Sequence, residues 1–123
     1  MKKKFDLGII LFAYNEDGNL SILLKKIFET FFDHSQIQKV YVSICIQGSK
    51  SSYDEVINFK KNNELLIDKF EILYSYHSQP IGIKEAFKDS FLNLPKNLNT
   101  FLTMDCDLNH NPFASKKFFE KIN

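Results

Sequence analysis

Hydrophobic and polar positions alternate along this chain in two periods. Phe5–Tyr14 is a short apolar run, as expected of a strand buried on both faces. After a polar turn, Leu20, Leu23, Leu24, Ile27, Phe28 and Phe31 recur at spacings of three and four, the stripe of an amphipathic helix. Lys39–Gln47 alternates strictly, with Val40, Val42, Ile44 and Ile46 on one side, and reads as a second strand. Ser52 and Glu55 have the spacing of a capping box and predict a helix carrying Val56, Ile57 and Phe59. Phe70–Tyr76 reads as a third strand and His77–Pro80 as a turn. Ile83, Ala86, Phe87, Ser90, Phe91 and Leu94 form the next helical stripe. Thr100–Met104 is a fourth strand, and Asn111-Pro112 suits the start of a last helix bearing Phe118, Phe119 and Ile122. Strands alternating with helices predict an α/β domain, a mostly parallel sheet with helices on both faces.

Composition narrows the picture. A chain of 123 residues allows one small domain with one core. The charges nearly cancel, Lys is scattered among Asp and Glu, and there is no Arg, so no nucleic-acid footprint is expected. Cys45 and Cys106 each sit inside an apparent strand and read as buried free thiols rather than a disulfide. The basic start and the apolar Leu7–Tyr14 run lack the small-residue cleavage site of a signal peptide. No apolar run approaches the roughly 20 residues of a membrane span. The expected location is cytoplasmic, with Lys2–Lys4 either a solvated terminus, the plainer reading, or a contact to the anionic inner face of a membrane.

The candidate chemistry lies in Thr100–Pro112, where an apolar strand breaks into Asp105-Cys106-Asp107 and then Asn109-His110-Asn111. In an extended chain Asp105 and Asp107 share one side. Paired carboxylates at a strand's carboxyl end suit a hard divalent cation with substrate phosphates, and equally a solvated turn. In a parallel sheet, the loops Asn15–Asn19, Gln47–Ser52, His77–Lys84 and Asp105–Asn111 all fall along one edge. Carboxylates, Lys84, glycine turns and serine hydroxyls together suit a diphosphate ligand.

Those motifs carry a resemblance. Leu11-Phe12-Ala13-Tyr14-Asn15-Glu16 resembles the first-strand P-A-Y-N-E text of the family-2 type nucleotide-sugar glycosyltransferases, which have the GT-A fold. Met104–Pro112 is similar to the M-D-A-D-L-x-H-x-P of the dolichol- and polyprenol-phosphate sugar transferases, a mannosyl- and glucosyltransferase branch. Ile81–Ala86 resembles that branch's G-x-G-x-A turn. The resemblance implies the N-terminal, donor-binding half of a metal-dependent glycosyltransferase, one domain over residues 1–123 that is incomplete at its C-terminus. The donor would be a GDP- or UDP-sugar and the acceptor a polyprenyl phosphate at the membrane surface. Ala13, Tyr14, Glu16, Ile44, Ile46, Gln47, Lys84 and Asp105 would line the nucleotide-sugar site. Asp105 and Asp107, with Asn109 as a further ligand, would hold Mg²⁺ or Mn²⁺. His110 would orient a carboxylate or cap the following helix. No catalytic base is assignable within the chain.

The departures from the pattern point elsewhere. Phe12 replaces a proline, and Ile46 and Gln47 replace the two acids of V-V-D-D-G-S, the first of which reads the base. Lys84 and Ser90 replace glycines. A degenerate, non-catalytic domain of the same fold, serving as a binding or interaction module, is the alternative. A flavodoxin-like partner domain, with Asp105 and Asp107 only a turn, is the third reading. An isolated half-domain is expected to expose apolar surface at Phe113, Phe118 or Phe119 and to self-associate.

Overall fold

A computed structural model of the chain describes residues 4–15, 18–64, 68–98 and 100–105. Among them, four strands and three helices alternate: β1 (Phe5–Tyr14), α1 (Asn19–Phe31), β2 (Ile37–Gln47), α2 (Lys50–Asn62), β3 (Phe70–His77), α3 (Ile83–Asn93) and β4 (Thr100–Asp105). The strands form one sheet in the order β3-β2-β1-β4, and every neighbouring pair is parallel. The class is α/β and consistent with a Rossmann-like fold. Among the described residues no helix is long and apolar enough to cross a membrane. The last helix anticipated from Asn111-Pro112 lies outside the described residues.

Side-chain alternation divides the core between the two faces of the sheet. Leu7, Ile9, Leu11 and Ala13 of β1 and Val40, Val42, Ile44 and Ile46 of β2 join α1 and Val56 of α2 in the larger cluster. Ile10 packs on the other face with Leu94 and Leu98, which follow α3, and with Phe12, Tyr41 and Leu73. The helices therefore cover both faces, α1 and α2 on one and α3 on the other. The α1 stripe is buried as its spacing requires: Leu20, Leu23, Leu24, Ile27, Phe28 and Phe31 all lie in the core. Each such side chain contributes roughly 1.5–3 kcal/mol by leaving water. Phe28 stacks on Phe70 at 4.2 Å and meets Phe59 edge-on at 5.3 Å, fastening α1 to β3 and α2.

Gly8 sets the spacing on the α3 face. A Cβ there would lie 3.1 Å from the side chains of Leu98 and Phe101 and 3.2 Å from Leu94. The missing side chain lets the segment after α3 rest directly on β1.

Three local expectations are corrected. Helix α2 starts at Lys50, and its cap is Ser49, whose hydroxyl accepts from the N–H groups of Ser51 and Ser52 at 3.1 and 3.4 Å. Ser52 lies buried one turn inside the helix, so it cannot act as the cap. His77 is the last residue of β3, because its pairing with Gln47 extends the ladder by one position. On α3 only Ala86 and Ser90 of the expected stripe are buried within the helix, while Ile83 is 77% exposed and Phe87 and Phe91 are half exposed. Small residues face the sheet here because α3 lies close to it. Phe91 instead meets Phe101 of β4 at 5.4 Å.

Candidate functional site

The strand order decides where a ligand can sit. The chain moves from β1 to β2 to β3 with α1 and α2 on one face, then returns over the other face through α3 to β4. Connections therefore diverge between β1 and β4. In open parallel sheets, the crevice at the carboxyl ends of such a pair is where ligands bind. Here it is bounded by Tyr14 and by Asp105, whose backbone pairs beside Phe12.

Tyr14 is 52% exposed at this edge. Asn15 follows in the left-handed region at φ 52°, which asparagine tolerates. Its N–H donates to the Gln47 carbonyl at 3.2 Å, and the Gly48 N–H donates to the His77 carbonyl at 2.8 Å. The Tyr76 hydroxyl donates to the Gly48 carbonyl at 2.9 Å. These bonds carry the sheet one residue beyond the strands, so the first two loops leave from a firm edge. Gly48 has φ 88°, and a Cβ on it would meet the Asn15 Oδ1 at 2.5 Å.

The expected nucleotide contacts divide sharply. Ala13, Ile44 and Ile46 are fully buried in the core shared with α1 and α2 and present no surface to a ligand. Strand periodicity explains this: Ile44 and Ile46 share a face with Val40 and Val42. Gln47 is 7% exposed, and its Oε1 accepts from the Ile81 N–H at 2.9 Å, tying the β3–α3 loop to β2. Its carbonyl oxygen is committed to that loop. Lys84 is exposed in the first turn of α3. Tyr14 and the backbone of Asp105 reach the same edge. Glu16, Asp107, Asn109 and His110 lie outside the described residues, as do Cys106, Phe113, Phe118 and Phe119.

A second polar group occupies the α3 face, and the sequence reading missed it. Cys45, on β2, is buried and unpaired in any disulfide. Its Sγ lies 3.8 Å from Asp89 Oδ2 on α3. The same oxygen sits 2.8 Å from His77 Nε2 and accepts from the Ser75 hydroxyl. Hydrogen bonds from Ser75 and His77 hold the Asp89 carboxyl below the usual carboxylate range. Burial pushes the Cys45 thiol up to about 11. Deeper in the same column, Ser43 Oγ donates to the Ser90 carbonyl at 2.6 Å, and Ser90 Oγ donates back to the Ser43 carbonyl at 3.2 Å. The signal for this group was present in the alternation. Ser43, Cys45 and Gln47 form the polar side of β2, and a polar side in a doubly covered sheet requires polar partners on the covering helix.

No family model matches the chain, and no curated protein is similar to it.

Proposed function

We propose that the chain binds a nucleoside diphosphate-sugar with a divalent cation at the crevice between β1 and β4, as the donor half of a GT-A type glycosyltransferase. The observation that supports this most is the strand order β3-β2-β1-β4. It sets Tyr14 and the end of β4, where the Asp105-Cys106-Asp107 motif begins, side by side at the divergence point. Asp105, Asp107 and Asn109 offer two carboxylates and an amide oxygen, a hard donor set that suits Mg²⁺ or Mn²⁺. Such an ion, when bound, supplies Lewis acidity toward a departing diphosphate. The half-exposed Tyr14 ring offers an apolar face to a base or sugar. An acceptor that is itself a phosphate, such as a polyprenyl phosphate, brings its own nucleophilic oxygen and has less need of a protein base.

One observation favours the second reading, a non-catalytic nucleotide-binding or interaction module. At the end of β2, where the resemblance expects two acids, Ile46 is in the core and Gln47 is engaged with Ile81. No carboxylate from that strand is available to a base.

Calorimetry with GDP and with UDP, each with and without Mn²⁺, tests the proposal. Metal should tighten nucleotide binding, and nucleotide should tighten metal binding by the same factor. Asp107→Ala should abolish the coupling. Gln47→Glu returns an acid to the end of β2 while keeping an acceptor for the Ile81 N–H, and should strengthen nucleotide binding if base recognition is what is weak. Ile46→Asp is unsuitable, because it would bury an unpaired carboxylate. If the wild type and Gln47→Glu both bind no nucleotide at saturating metal, the donor reading fails.

A further inference from the structure

We propose that Cys45, His77 and Asp89 form a second metal site, separate from the β1–β4 crevice, that takes a zinc-class divalent ion. The three donors come from β2, β3 and α3, so tertiary packing alone brings them together. Cys45 pairs with Ser75 in the β2–β3 ladder and Gln47 pairs with His77, which sets His77 diagonally across from Cys45 on the same face. Helix α3 brings Asp89 over both. The sulfur, the imidazole nitrogen and the carboxylate oxygen all lie within 4.8 Å of one another.

That spacing is close to what a tetrahedral ion needs. With metal–sulfur near 2.3 Å and metal–nitrogen near 2.0–2.1 Å, neighbouring donors stand about 3.3–3.6 Å apart. The sulfur-to-carboxylate separation of 3.8 Å and the imidazole-to-carboxylate separation of 2.8 Å bracket that range. The two separations from the carboxylate need changes of about half an ångström, while the sulfur and the imidazole nitrogen, within 4.8 Å of each other, close by up to about 1.2 Å through side-chain rotation. The donor set also selects the ion. Thiolate and imidazole suit zinc, copper or cobalt and are poor ligands for Mg²⁺, unlike the oxygen donors after β4.

The surroundings have the features of a ligand cage. The Ser75 hydroxyl donates to Asp89 and fixes its carboxylate, as outer-shell partners of metal-binding carboxylates do. Cys45 is fully buried, so a thiolate there requires a cation beside it. His77, Asp89, Glu85 and Lys88 line an open cavity of about 350 Å³, which leads to solvent. A fourth position on that side takes water, the three-ligand arrangement with one open site. Binding releases the thiol proton of Cys45 to solvent and places the imidazole proton of His77 on Nδ1, leaving Nε2 to the metal.

Cobalt(II) is the probe, because thiolate ligation gives it a sulfur-to-metal charge-transfer band and tetrahedral geometry gives it visible absorption. Titration of the metal-free chain should show one cobalt per chain with both signatures, displaced by Zn²⁺. Cys45→Ser should remove the charge-transfer band, and His77→Ala and Asp89→Asn should each weaken binding at least tenfold. Ser75→Ala should weaken it about 10-fold through Asp89. Circular dichroism checks that each variant is folded. Cys106→Ser and Asp107→Ala should leave the cobalt spectrum unchanged, so this site and the nucleotide site fail or stand separately. Absence of the charge-transfer band, its survival in Cys45→Ser, or its loss in Cys106→Ser would each overturn the proposal.

Discussion

Glu55 of α2 caps α1: its two carboxylate oxygens accept from the N–H groups of Gly18 and Ser21, each at 2.7 Å. Helix α1 has glycine as its N-cap, and no side chain of its own caps it. The first amides of a helix have no intrahelical partner and carry a partial positive charge. A carboxylate from the neighbouring helix satisfies both needs. Glu55→Ala should therefore destabilise the domain by about 1–2 kcal/mol, and Glu55→Gln, which keeps one acceptor and loses the charge, by less. Urea unfolding checks this through a lower midpoint at unchanged slope. An effect within error for Glu55→Ala would mean that water caps α1 equally well.

Gly18 and Gly48 share a positive φ, 83° and 88°, but not their surroundings. Nothing lies within 4 Å of a Cβ added at Gly18, whereas at Gly48 it meets the Asn15 amide. Gly18→Ala should cost about 1 kcal/mol of backbone strain alone. Gly48→Ala should cost more, and most of the excess should disappear when Asn15 is also changed to Ala, leaving the contact with the Tyr14 ring at 3.3 Å. A double-mutant cycle measures that coupling.

Ser43 and Ser90 bind each other's backbone across the β2–α3 contact, and both are fully buried. Ser43→Ala should cost about 1 kcal/mol, the net worth of one hydrogen bond. Ser90→Gly should cost roughly 1 kcal/mol more than Ser90→Ala, because glycine also loses helix propensity. Equilibrium unfolding of the three variants ranks them.

Gln47 holds the β3–α3 loop through the Ile81 N–H. Gln47→Leu should leave that amide without its acceptor and speed its hydrogen exchange, with little change at core amides of β1. Gln47→Glu keeps the acceptor and should preserve protection. Equal exchange at Ile81 in both variants would show that the side chain does not hold the loop.

Local pattern alone determined the element order, the buried stripe of α1 and the parallel class of the sheet. These follow from residue periodicities, which each segment carries by itself. The burial of Ile44 and Ile46 was also legible, since they alternate in step with Val40 and Val42 on the covered side of β2. Other features needed the assembled sheet. The capping-box spacing of Ser52 and Glu55 is in the sequence, yet Glu55 reaches 34 and 37 residues back to α1 because α1 and α2 lie on the same face. The α3 stripe shows which residues share a side, but not that only Ala86 and Ser90 fit beneath the helix while Phe87 and Phe91 remain at the surface. Cys45, His77 and Asp89 are separated by 32 and 12 positions and meet only when α3 returns across the sheet toward β4. Periodicity says which side chains point together. Strand order and the side on which each connection crosses decide what they point at, and those depend on contacts between segments far apart in the chain.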